Sequence, residues 1–202
     1  MTNPFLSTEK HYASRTHAAM KDVLMNPKEV GPEIHYYMMR GGVDQKNVTV
    51  LECGTIKGEY IKTYGHYHIG ELDETYWIVY GEGCVILQKP AIAEDGSIIP
   101  DIIEEFQIIP VTKGSEVYIP KAYGHALVNT GNTYFVSVDN SPVDFTEKDP
   151  TSMPGHAEYE TVKHMHGLAY YVIEHEGKPA LIKNPLYKQI KQTITNGIPV
   201  IT

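Results

Sequence analysis

The chain has 202 residues and a formal net charge of -8, with 42% hydrophobic and 21% charged residues. That length suits one domain with terminal embellishments, large enough to bury a core without covalent staples. The acidic balance argues against a nucleic-acid partner, which needs a basic surplus to release counterions from phosphates. No apolar run reaches the roughly 20 residues of a membrane-spanning helix. Residues 1–12 lack a basic patch followed by an apolar stretch, so the expected compartment is the cytosol.

In chain order, residues 8–26 form the first helix candidate, with Thr8 as cap, Ala18, Ala19, Val23 and Leu24 at near-helical spacing, and Pro27 as terminator. From Ile34 the texture changes to short β-prone runs between Gly, Pro, Asn and Asp. Strands are expected at 34–39, 48–53, 59–63, 75–80, 84–88, 105–109, 116–119, 126–129 and 133–139. Many short strands with frequent turns make the fold class all-β, a sandwich or barrel. Residues 81–83 and 129–132 look like hairpin turns. The segment 90–101, with two prolines, is expected as an exposed loop or hairpin tip. Past Pro142, residues 142–166 suggest an irregular wrap, 170–174 and 180–182 a hairpin, and 184–195 a short helix. The organisation is thus an N-terminal extension (1–33), a barrel core (34–141) and a C-terminal wrap (142–202).

Two cysteines, Cys53 and Cys84, make no disulfide framework. Both sit in apolar strand-like runs, so buried inert thiols are expected. Asn47-Val48-Thr49 matches a glycosylation sequon, a coincidence for a chain without an export signal. The 15 tyrosines suit either a polar cavity or plain strand propensity.

The informative run is Thr63-Tyr64-Gly65-His66-Tyr67-His68 followed by Glu74. On a strand His66 and His68 point to one face and Tyr67 to the other. A hairpin through Gly70 returns Glu74 beside them, and a second segment, from Gly114 through Pro120, delivers His125. Three neutral imidazoles and a carboxylate suit Fe(II), Mn(II), Ni(II), Co(II) or Zn(II), and leave coordination positions for a chelating substrate. His164 and His166 repeat the spacing without a following Glu and His, and are expected at the surface.

These spacings resemble the cupins. Glu74, six residues and Gly81 close the first cupin motif; Gly114, Pro120, His125 and Asn129 fit the second, with Ala122 in place of its middle Gly. The leading Gly of the first motif is displaced to Gly58, and five residues separate His68 from Glu74, slightly more than usual. The resemblance implies a double-stranded β-helix, or jelly-roll barrel, with terminal extensions and short helices. Within cupins the chain is similar to the archaeal-type phosphoglucose isomerases, through the Thr-X-Gly-His-X-His run, Glu74-Thr75-Tyr76 and residues 117–120. Residues 125–131 and 171–174, with Asn184-Pro185, also fit.

That resemblance implies an enzyme interconverting glucose 6-phosphate and fructose 6-phosphate with one divalent metal, usually as a homodimer. It implies His66, His68, Glu74 and His125 as ligands, Glu74 and Tyr76 at the reacting centre, and Thr49, Thr63 and Gly65 at the sugar phosphate. A family tyrosine of the N-terminal strand falls at His35, Tyr36 or Tyr37. A family His and Tyr near the substrate align with Val143 and Phe145, which favours a related sugar as an alternative substrate. An Fe(II) dioxygenase and a non-catalytic sugar-binding cupin are the competing functions; neither needs phosphate donors beside the ligands together with a competent metal set.

Overall fold

A computed structural model describes residues 11–202. Its barrel is two sheets. The first is antiparallel, in the order β1 (Tyr12–Thr16), β2 (Ile34–Met39), β3 (Asn47–Leu51), β12 (Phe135–Asp139), β7 (Glu74–Tyr80) and β10 (Glu116–Ile119). In β3 and β12 burial alternates residue by residue. That is the pattern of strands with one face on a core. Asn47, Thr49 and Leu51 on β3 are buried, as are Phe135, Ser137 and Asp139 on β12.

The second sheet runs β11 (Gly124–Asn129), β8 (Glu82–Ile92), β9 (Ile98–Thr112) and β16 (Gln189–Ile194). Residues 84–88 of β8 are buried on both faces. The C-terminal part of the chain supplies the outer cover: Gln88 Oε1 accepts from the Ala169 N–H at 2.8 Å, and Gln88 Nε2 donates to the Tyr187 hydroxyl at 3.2 Å. A smaller sheet, β17 (Val200–Ile201), β15 (Lys178–Lys183), β14 (Tyr170–His175), β5 (Glu59–Tyr60) and β4 (Thr55–Ile56), contains the expected 170–182 hairpin. No helix among the described residues is long and apolar enough to cross a membrane.

Three expectations are corrected. The helix expected over 8–26 is, within the described residues, mostly other structure; Thr8 lies outside them. Residues 12–16 form β1 on the open edge of β2, and only His17–Met20 is α-helical (α1), capped by Thr16, whose Oγ1 accepts from the Ala19 N–H. Pairing with a free sheet edge outweighs the small propensity differences that favour helix. Residues 184–195 fold as a turn and β16, parallel to β9, where β-branched Ile190, Thr193 and Ile194 pair with an otherwise open edge. The segment 90–101 is the hairpin tip expected, joining β8 to β9, but more of it is strand than a loop would be. Pro90 and Pro100 lie within β8 and β9, the register shifts beside Pro90, and the turn itself occupies only 93–97. A bulge is where a strand tolerates a residue without an N–H. Finally, Cys53 is exposed, two residues past the end of β3, whereas Cys84 is buried as expected, its thiol pushed up to about 12 by burial. The Asn47 sequon is closed to glycosylation, because Asn47 is fully buried and donates to Asp139 and Ser141. His164 and His166 are exposed.

Behind the barrel, His17 of α1, half-buried, meets the fully buried His35. His17 Nε2 lies 2.9 Å from the Glu29 carbonyl, which makes it an N–H donor; His17 Nδ1 therefore accepts from His35 Nε2 at 3.0 Å. His35 Nδ1 has no partner and the ring is fully buried. Burial, then the neighbouring His17 and Lys62, lower the His35 pKa to about 4. An unfolded histidine titrates near 6.5. The fold thus refuses a proton that the unfolded chain binds, and stability is full above pH 6.5 and declines as pH falls toward 4. We expect the wild type to lose about 3 kcal/mol across that window through this group. His35→Gln should flatten the acid limb in urea titrations at successive pH values; identical slopes for both proteins would contradict the assignment.

Candidate metal centre

His66 and His125 meet through the backbone before they meet through side chains. The His125 N–H donates to the His66 carbonyl at 3.0 Å and the His66 N–H to the His125 carbonyl at 3.3 Å. This antiparallel bridge lays the 63–68 segment along β11, where the Thr63 N–H also donates to the Leu127 carbonyl. Two glycines allow the approach. Gly65 has φ +79° and a Cβ there would stand 3.3 Å from the His125 carbonyl oxygen; at Gly124 a Cβ would sit 2.6 Å from the Tyr67 ring. Both positions therefore exclude a side chain.

Tyr67 faces away from the two histidines, as strand alternation requires, and accepts a hydrogen bond from Gln88 in the core. His66, His68, Glu74 and His125 are left with ligand atoms all within 4.8 Å of one another. His68 Nε2 lies 3.3 Å and His125 Nε2 3.1 Å from Glu74 Oε2. The outer ring nitrogens are occupied: His68 Nδ1 sits 3.1 Å from the Leu72 carbonyl and His125 Nδ1 3.4 Å from the Tyr123 carbonyl. A carbonyl on Nδ1 fixes the tautomer with the lone pair of Nε2 turned inward, the arrangement of a metal-ligating imidazole.

Electrostatics agree with that geometry. Burial, then the nearby His125, hold the His66 imidazole well below the usual histidine range, so it stays neutral. Burial opposes ionisation of Glu74, but the His125 and His68 rings facing it outweigh burial and hold the carboxyl well below its usual range. All three Nε2 atoms and Glu74 Oε2 are buried without a good hydrogen-bond partner. Four convergent, orphaned donor atoms of this kind are costly unless something shares them. A divalent cation fits: the donors are N and O, their number is four, and their second partners are in place.

The cavity in front of these ligands is lined by Thr49, Thr63, Gly65 and Tyr76, the residues expected from the resemblance. The Tyr76 ring stands edge-on to His125 at 5.6 Å, on the same strand face as Glu74. Of the three candidates for the N-terminal tyrosine, Tyr36 lines the cavity, whereas His35 pairs with His17 behind it. Val143 also reaches the cavity, but Phe145 packs on His11 with ring centroids 4.2 Å apart.

A histidine and a tyrosine do enter the cavity, but from further along the chain than 143 and 145. His156 and Tyr159, in the wrap that follows, line the same cavity. The wrap is fastened there by the pairing of β13 (Ala157–Glu158) with β6 (Tyr67–His68) and by the Ile69 N–H donating to the His156 carbonyl at 2.7 Å. Burial, then His68, lower the His156 pKa to about 4, so the ring is neutral near pH 7. An ungapped reading overlooks these two because the chain between β12 and β13 is irregular; a Gly-His pair followed by a tyrosine was the signal available. Asp139 and Arg40 were also overlooked. They form an ion pair at 3.3 Å on the cavity wall, and burial, then Glu74, push the Asp139 carboxyl above its usual range.

Residues 38–188 match the family model "Glucose-6-phosphate isomerase (GPI)". A glucose-6-phosphate isomerase from Thermococcus kodakarensis is 32% identical over 142 residues, covering 70% of this chain and 63% of that protein. One from Pyrococcus abyssi is 31% identical over 141 residues, covering 69% and 62%. The chain thus spans less than two thirds of the length of the curated relatives it matches. A crystal structure of a predicted oxalate decarboxylase from Thermotoga maritima is 19% identical, with a TM-score of 0.34, covering 52% of this chain and 76% of that one. By the extent of the family match and the identity to these relatives, the chain belongs to the cupin-type glucose-6-phosphate isomerase family.

Proposed function

We propose that this protein is a metal-dependent aldose–ketose isomerase that interconverts glucose 6-phosphate and fructose 6-phosphate. The observation that carries the reading is that one cavity is lined by three members of the ligand cluster, His66, Glu74 and His125, together with Thr49, Thr63 and Gly65, and His68 completes the cluster behind them. The first set suits the oxygens on C1 and C2 of an open-chain sugar, the second a phosphate held by neutral hydroxyl and amide donors. An oxygenase would have no use for the second set.

In this reading His66, His68, Glu74 and His125 hold one divalent ion of the Fe, Mn, Ni, Co or Zn group. When bound, the ion supplies Lewis acidity that stabilises charge developing on the substrate's oxygens. Glu74 keeps its carboxylate ionised among the imidazoles and carries a proton between neighbouring carbons or oxygens. Tyr76 orients the sugar beside it. His156, neutral and with its ring centroid 5.7 Å from that of His68, is a second group able to exchange a proton with a hydroxyl. Tyr159 and the wrap help exclude water from the reacting centre. The reading carries a cytosolic location and a homodimer with it. Exposed Tyr12, Val79 and Tyr118 on strands of the six-stranded sheet support a second copy as the partner there.

The test loads purified protein in turn with Fe(II), Mn(II), Ni(II), Co(II) and Zn(II) and supplies fructose 6-phosphate. Glucose 6-phosphate should form with at least one metal. Absence of turnover with every metal would sink the proposal, and oxygen uptake with a sugar substrate would replace it with the dioxygenase.

A further inference from the structure

Arg15, on β1, lies outside the residues that match the family model, yet it touches three residues of the cavity wall. It is 8% exposed. Its Nε donates to the Tyr36 hydroxyl at 3.2 Å and its Nη2 to the Ser152 carbonyl at 2.7 Å. Nη1 meets only the Met153 sulfur, at 3.7 Å, a weak acceptor. The guanidinium sits 5.4 Å from the centroid of the Tyr64 ring and 5.9 Å from that of Tyr159. No described carboxylate forms an ion pair with it. Buried cations are ordinarily paired, so this one stands out.

Tyr36 gives the cation a direction. Its hydroxyl oxygen accepts from Arg15 Nε and also from the Tyr64 N–H at 3.3 Å. With both lone pairs engaged, the hydroxyl has only its proton to offer. No described group accepts that proton, and Tyr36 lines the cavity alongside Thr49, Thr63 and Gly65. These neighbours are neutral donors. They bring no net charge to balance a phosphate that carries nearly two negative charges near pH 7.

We propose that Arg15 is the positioning residue of the cavity's phosphate end: it makes Tyr36 a one-way donor and supplies the positive charge that the neutral donors lack. The inference rests on the isomerase reading for its substrate, but it concerns affinity for a phosphate dianion rather than the chemical step. It also gives β1 a role in the site and not only in the sheet edge.

The experiment compares wild type, Arg15→Gln, Arg15→Lys and Tyr36→Phe, each full length and loaded with the same metal. Metal content and melting temperature are measured beside kcat and KM for fructose 6-phosphate, and the affinity for inorganic phosphate is read by calorimetry. For Arg15→Gln we expect KM and the phosphate Kd to rise about 10- to 100-fold, the scale of a hydrogen-bonded charge. Its kcat should change little and its metal content not at all. Arg15→Lys keeps the charge without the fork and should fall between. Combining Arg15→Gln with Tyr36→Phe should cost less than the sum of the two single losses, since part of the Arg15 effect runs through the Tyr36 hydroxyl; strict additivity would overturn that link. Wild-type phosphate affinity in Arg15→Gln, or a loss confined to kcat, overturns the proposal. Should Arg15→Gln not fold, wild-type phosphate affinity in both Arg15→Lys and Tyr36→Phe overturns it equally. A wild type that binds phosphate in an Arg15-dependent way but does not isomerise fructose 6-phosphate supports the inference while removing the isomerase reading.

Discussion

Glu74→Gln is expected to lower turnover by about 10²- to 10⁴-fold, the range for loss of a general acid–base group, while metal is partly retained. The side chain is 3% exposed and keeps its shape in the amide. Two things change. The amide cannot take up and release a proton at neutral pH, and it removes the negative charge that His68 and His125 face at 3.3 and 3.1 Å. Three imidazoles remain to hold the ion, so metal content measured by elemental analysis should drop less than activity does. KM for fructose 6-phosphate should move little, because Thr49, Thr63 and Gly65 are untouched. Turnover within a few-fold of wild type, at full metal loading, would remove Glu74 from the proton path. A fall in turnover that tracks metal content alone would reduce it to a ligand.

His125→Ala is expected to take metal and activity away together. His125 is 1% exposed, and its backbone ties β11 to the segment carrying the other two histidines. Removing the ring leaves two imidazoles and a carboxylate on one side of the cavity. A bound ion stabilises the fold by mass action, about 4 kcal/mol when free metal is a thousandfold above Kd. For a chain of this size that corresponds to roughly 10 °C in melting temperature. Chelation should therefore lower the wild-type Tm by about that amount and leave His125→Ala nearly unmoved. Wild-type protein that melts at the same temperature before and after chelation would contradict the metal centre itself. Because the backbone bridge between 66 and 125 survives the substitution, Tm in the presence of chelator should be similar for both proteins.

The cluster of four donors was legible only in part from local rules: an X-separated histidine pair on a strand has its facing dictated by the pleat, and a short turn can return Glu74, whereas His125 entered through the resemblance of 114–129 to the second cupin motif. The strands were legible as β-prone runs between turn residues, but their facing was not: in 47–51 and 135–139 the buried positions include Asn47, Thr49, Ser137 and Asp139, while the valines between them are less buried. Edges were not legible either. Residues 12–16 and 189–194 have no strong pattern of their own, and become strands because β2 and β9 offer unpaired backbone. No local rule reports that a distant edge is free. The same holds for the far wall of the cavity. Residues 142–159 contain little regular structure, so periodicity says nothing about which side chain enters; the pairing of 157–158 with 67–68 swings His156 and Tyr159 inward, while Phe145 goes to His11. The amino-acid sequence alone determined the β-rich character of the core and the facing of His66 and His68, because strand pleat is short-range; Glu74 and His125 were added to them by the resemblance of two motif spacings to the cupins. Tertiary structure alone decided which residues complete the cavity and where a lone buried guanidinium comes to rest, because those depend on distant chain segments packing against one another, 67–68 on 157–158 and Arg15 on Ser152.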